Sequence, residues 1–175
     1  MQGLVHIYTG NGKGKTSAAI GLGVRAYGSG LTVFMAQFLK GIESGEAAAL
    51  KKFEPEFVLY RNPSLKKFTW EMNALEIEES KIIQEETFDI AKKAIFCGKW
   101  NVVILDEVFA AINLDLVKKD EVINITKNKP EDLELVMTGR NAPEELVSLA
   151  DYVSEIIQVK HPLNNGIKAR KGIEF

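Results

Sequence analysis

The stretch "IYTGNGKGKTSAAIG", Ile7 to Gly21, decides the fold. Apolar and β-branched residues run into a cluster of glycine and lysine, and small residues follow. Leu4 to Thr9 reads as a buried strand, because it is a short apolar run ended by a glycine turn. Thr16 to Tyr27 reads as a helix ended by Gly28 and Gly30. A strand, a glycine-rich turn and a helix form the context of the phosphate-binding loop G-x-x-x-x-G-K-[ST]. "TGNGKGKT" satisfies the end of that pattern with Gly14-Lys15-Thr16 and puts Thr9 at the first position, where glycine is usual. Gly10, Gly12 and Gly14 permit backbone angles that a side chain would obstruct, so successive N–H groups can converge on an anion. The positive end of the following helix points to the same place. Lys15 is expected to neutralise phosphate oxygens and the Thr16 hydroxyl to bind Mg²⁺. The expected nucleotide-binding set is Gly10, Asn11, Gly12, Lys13, Gly14, Lys15, Thr16 and Ser17.

Farther along, "NVVILDE" is an apolar strand, Val102 to Leu105, running into Asp106 and Glu107. A carboxylate at the end of a buried strand can reach the Mg²⁺ beside a phosphate loop, so both acids join Thr16 as metal candidates. Further strands are expected at Leu31 to Phe38, Phe57 to Tyr60, Leu133 to Thr138 and Tyr152 to Val159. Helices are expected at Glu46 to Phe53, Ile77 to Phe96, Asp120 to Asn128 and Pro143 to Ala150, and Arg61 to Leu75 reads as a loop. Strands of continuous β-branched residues alternating with helices imply an α/β fold, a mostly parallel sheet covered by helices on both faces. Such a sheet places ligands beyond the carboxyl ends of its strands. No repeat or linker divides the chain, so residues 1–175 are expected to form one domain of P-loop, RecA-like architecture.

Composition sets limits. The formal net charge is −2, so nothing global recruits nucleic acid. No apolar run approaches membrane-spanning length and no signal peptide precedes the first strand. Cys97 is the sole cysteine, which rules out an internal disulfide and fits a reducing cytoplasm. His6 reads as a strand histidine in the core, and His161 as a structural or phosphate-contacting one.

A phosphate loop does not fix the reaction. Glu107 suits the water-polarising base of an ATPase as well as a metal ligand, and a kinase would bring an acceptor to the same γ-phosphate. Resemblance narrows the choice. "YTGNGKGKTSAAIGLGVRAYGSG" resembles the opening of the P-loop type of ATP:corrinoid adenosyltransferase. "AQFLKG", "SGE", "FTWE", "VVILDE" and the stretch from Thr138 to Phe175 resemble later segments of that family, in order.

The resemblance implies that cobalt(I) of a corrinoid attacks the ribose C5′ of ATP and that triphosphate leaves intact. Lys15 then acts at the leaving group. Phe68 and Trp70, whose default reading is a pair of loop anchors, would pack on the lower corrin face and keep axial ligands from cobalt. Arg140 in "TGR" would contact phosphate, and Lys40 and Glu46 would border one of the substrates. The family also implies a homodimer and a reductase or flavoprotein electron donor. A corrinoid carrier that keeps the nucleotide site for regulation is an alternative from a different class.

Overall fold

The structure is a computed structural model that describes residues 2–41, 44–64 and 74–173. The elements run β1 (Val5–Thr9), α1 (Lys15–Gly28), β2 (Val33–Gln37), α2 (Gly45–Leu50), β3 (Phe57–Tyr60), α3 (Ala74–Phe96), β4 (Val102–Asp106), α4 (Val108–Asn113), α5 (Lys119–Asn128), β5 (Glu134–Thr138), α6 (Glu144–Val147) and β6 (Tyr152–Glu155). The strands form one six-stranded sheet in the order β3-β2-β4-β5-β1-β6. Every strand pair is parallel. The glycine-rich turn and the acids of "VVILDE" therefore leave the same edge of the sheet, with β5 between their strands.

Strand alternation sorts the core into two layers. Val103, Leu105, Leu135 and Met137 face one side, where Phe88, Ala91 and Ile95 of α3 and Val122 and Ile125 of α5 cover them. Val102, Ile104, Val136 and Met35 face the other, under Ala19 and Ala26 of α1. The expected α/β class, with helices on both faces, is what the chain adopts. Burial on both faces explains the near-continuous apolar runs of β2 and β4, in which every residue is buried.

Several boundaries differ from the sequence expectation, among them α6, expected over Pro143 to Ala150 and found only over Glu144–Val147. The helix expected over Glu46 to Phe53 tightens after Leu50 into a 3₁₀ turn, Lys51–Phe53. No element was expected for α4, whose "VFAAIN" continues the apolar run of β4 without a turn residue between them. The break comes from Glu107, which adopts a left-handed conformation with φ 62°. The last strand was expected to reach Val159 but ends at Glu155. Just beyond it Ile156 binds the phosphate loop through its backbone, and the chain that immediately follows is exposed.

Candidate active site

The loop between β1 and α1 is held from one side by the chain that follows β6. Ile156 N–H donates to Thr9 O at 2.9 Å, and Gly12 N–H donates to Ile156 O at 2.7 Å. Gly10 (φ 96°) and Gly14 (φ 123°) take the positive angles that only glycine adopts without strain. Gly12 is needed for a different reason. A Cβ there would lie 2.7 Å from Ile156 O, a closeness no side chain tolerates. A Cβ on Gly14 would meet nothing within 4 Å, because the loop faces an open cavity at that point.

That cavity has a volume of about 530 Å³. Asn11, Lys13, Lys15, Thr16 and Ser17 line its floor, and Glu107 and Arg140 lie on the wall formed by the ends of β4 and β5. Lys40 and Glu46 border another side. His161, Ala169 and Ile173 close it from the C-terminal segment, whose Ile173 carbonyl accepts from Lys13 Nζ at 3.3 Å. The structure therefore brings together the phosphate loop, Arg140 and both acids of "VVILDE". Phe68 and Trp70 lie outside the described residues. His6 stands apart from the cavity. It is half-buried, paired with Glu134 and stacked on Tyr152 at 4.6 Å.

Lys15 is buried, and its ammonium folds back on its own loop. Nζ donates to Gly10 O at 2.8 Å and to Gly12 O at 2.9 Å. Burial holds its pKa below the usual lysine value; Glu107 and Asp106 pull it up and Arg140 pushes it down. An arriving polyphosphate would offer this cation better acceptors than two carbonyls.

Asp106 is fully buried and fully partnered. Thr138 Oγ1 donates to Oδ1 at 2.7 Å, while Gln37 Nε2 at 2.8 Å and Thr16 Oγ1 at 3.2 Å donate to Oδ2. Parallel pairing sets Gln37 opposite Asp106. Glu107 behaves differently. Its backbone N–H donates to Thr138 Oγ1 at 2.9 Å, and its left-handed turn leaves it on the cavity wall. Burial, then repulsion from Asp106, raises its pKa above the usual glutamate value; Lys15, Arg140 and Lys40 act against this. The two neighbouring acids thus have separate surroundings: Asp106 grips Thr16, and Glu107 borders the open space.

A hard cation fits these donors. Among the described residues no group of three or more His, Cys, Asp or Glu side chains could hold a metal ion. Mg²⁺ needs no such cage, since a hydroxyl, one or two carboxylates and the substrate's phosphates suffice.

Sequence reasoning missed Gln37, Arg61 and Thr138. Arg61 Nε donates to Gln37 Oε1 at 2.5 Å, and its Nη2 donates to Ser44 Oγ at 2.6 Å and Glu46 Oε1 at 3.3 Å. The available signal was a glutamine at the end of an otherwise apolar strand.

An all-parallel sheet that delivers a glycine-rich loop from β1 and paired acids from β4 to one edge defines a P-loop α/β protein. The family model described as "ATP:corrinoid adenosyltransferase BtuR/CobO/CobP" matches residues 1–175, and the chain belongs to that family. Among curated relatives it is similar to a corrinoid adenosyltransferase of Pseudomonas aeruginosa, 36% identical over 175 residues, covering 99% of this chain and 84% of that protein. A corrinoid adenosyltransferase of Sinorhizobium sp is 34% identical over 176 residues, covering 99% of this chain and 81% of that protein. The one from Escherichia coli K12 is 33% identical over 175 residues, covering 99% and 86%.

Proposed function

We propose that this chain, as one domain over residues 1–175, transfers the 5′-deoxyadenosyl group of ATP to the cobalt(I) of a corrinoid and releases triphosphate. Membership of the adenosyltransferase family carries the choice of reaction. The observation that carries the site is the open arc at Gly14, with Lys15, Thr16, Glu107 and Arg140 around one cavity.

In this reading Gly10 to Ser17 and Arg140 bind the triphosphate. Cobalt(I) is a strong nucleophile, so no side chain need take a proton. The cobalt–carbon bond forms as the bond from C5′ to the α-phosphate oxygen breaks, and the electron pair leaves with triphosphate. The protein's share is to place C5′ in line with the metal and to stabilise charge on the leaving group. Lys15 moves from its loop carbonyls to the phosphates, and the loop amides add donors. Thr16, Glu107 and, through Thr16, Asp106 would hold Mg²⁺, which supplies further positive charge to the triphosphate. Phe68 and Trp70 provide the apolar wall beneath the corrin. The reading includes a homodimer, a flavoprotein reductant and a cytoplasmic setting.

The test is anaerobic incubation with MgATP and reduced cobalamin, following the visible spectrum and identifying the phosphate product. Conversion to the adenosylated corrinoid with stoichiometric triphosphate is the expected result. ADP or orthophosphate released with the corrinoid spectrum unchanged would overturn the reading in favour of chemistry at the γ-phosphate. Binding of adenosylated product without turnover would favour a carrier.

A further inference from the structure

Two polar residues behind the cavity lining, one buried and one partly buried, have no part in the scheme above. Gln37 ends β2 and is 2% exposed. Arg61 follows β3, with its side chain 13% exposed. Gln37 lies between a carboxylate, which only accepts, and a guanidinium, which only donates. One setting of its amide satisfies both. Nε2 faces Asp106 Oδ2 at 2.8 Å and Oε1 faces Arg61 Nε at 2.5 Å. Arg61 therefore fixes which end of the amide Asp106 meets. Burial pushes the pKa of Arg61 down, and Glu46 and then Asp106 pull it up. Glu46 also accepts from Lys40 Nζ at 2.5 Å, so Arg61 is itself anchored at the cavity rim.

The consequence falls on Thr16. To offer a lone pair to a cation, its hydroxyl must send its proton elsewhere, and Asp106 Oδ2 receives it at 3.2 Å. The same oxygen accepts from Gln37. If Gln37 lost its orientation, an amide oxygen would face the carboxylate and repel it, and Asp106 would turn from Thr16. We propose that Gln37 and Arg61 are positioning residues for magnesium-dependent nucleotide binding: Arg61 locks the Gln37 amide, and Gln37 holds Asp106 so that the Thr16 hydroxyl faces the metal. This rests on the reading of Thr16 as a metal ligand.

The experiment is calorimetric titration of the full chain with ATP, with Mg²⁺ and with chelator, in the absence of corrinoid. The readout is the ratio of the two affinities. Residues behind metal ligands change metal affinity by about 10- to 100-fold. Gln37→Met and Arg61→Met should each shrink the magnesium-dependent gain by about 10-fold, the low end of that range, and leave magnesium-free affinity within about twofold. The double variant should be no worse than Gln37→Met, because Arg61 acts through Gln37. Arg61→Lys should restore part of the gain and keeps the experiment decisive if a methionine variant fails to fold. Equal losses with and without Mg²⁺, or additive losses in the double variant, would overturn the proposal. Thr16→Ala and Asp106→Asn run alongside. If they abolish the gain while the Gln37 and Arg61 variants keep it, the relay alone is wrong. If they also keep it, the metal reading beneath it fails.

Discussion

β4 and β6 each lead into chain that lines the cavity, and they are built in opposite ways. β4 lies between β2 and β5, and all five of its residues are buried. It ends in an aspartate gripped by Thr138, Gln37 and Thr16. β6 is an edge strand, and all four of its residues are exposed. The segment after it displays Ile157 and Val159, the latter 87% exposed, and reaches the phosphate loop through the Ile156 backbone. Asp106, which bonds Thr16, thus stands on a strand buried along its whole length. One wall of the same cavity is attached by a few surface hydrogen bonds, the kind of region that opens locally at little cost.

Truncating matched apolar residues on the two strands breaks or upholds this contrast. Leu105→Ala should cost about 2–5 kcal/mol, since it opens a hole in the centre of the core. Val153→Ala, 46% exposed, should stay within about 0.5 kcal/mol. Urea unfolding measures both. Equal costs would mean that β6 is covered in solution, as a homodimer across that edge would cover it. Lys15→Ala should lower kcat/KM for ATP by about 10²–10³-fold, the usual loss of a group that stabilises transition-state charge, without lowering the thermal midpoint. Ending the chain after Lys160 removes the wall formed by Ala169 and Ile173. It should raise KM for ATP by about 10-fold, equivalent to about 1.4 kcal/mol of binding, and leave the urea midpoint in place.

The smallest effect concerns Glu107. Its folded pKa is raised, so its ionisation opposes folding. The stability it allows is complete below the ordinary glutamate range and is lost as pH rises through the folded pKa. In chelator, Glu107→Gln should raise the thermal midpoint at neutral pH, and the gain should fade as pH falls below the ordinary glutamate range. A gain that persisted in acid would assign the effect to packing.

The same contrast explains what could be read before any coordinates. Buried parallel strands have a clear signature, and β1, β2, β4 and β5 were found within a few residues. The phosphate loop was legible because its glycines, lysine and threonine are contiguous. α4 was not, because its buried face continues the apolar pattern of β4 and the break is a conformational change at Glu107. The Gln37–Arg61 pair was invisible because it joins the end of β2 to the residue just past β3, neighbours only through the register of the two strands. The need for Gly12 was misassigned to backbone angle, since the carbonyl that crowds it belongs to a residue near the other end of the sequence.

That distance matters when the chain is made. β1 emerges from the ribosome before the other five strands, yet its sheet partners are β5 and β6, the two strands made last. The nucleotide loop is synthesised early and gains its fastening from Ile156 late. During elongation β1 has both edges open, a state that invites mispairing and chaperone capture. A stalled nascent chain that lacks the region from β5 onward should therefore be unable to retain nucleotide, however complete its glycine-rich turn.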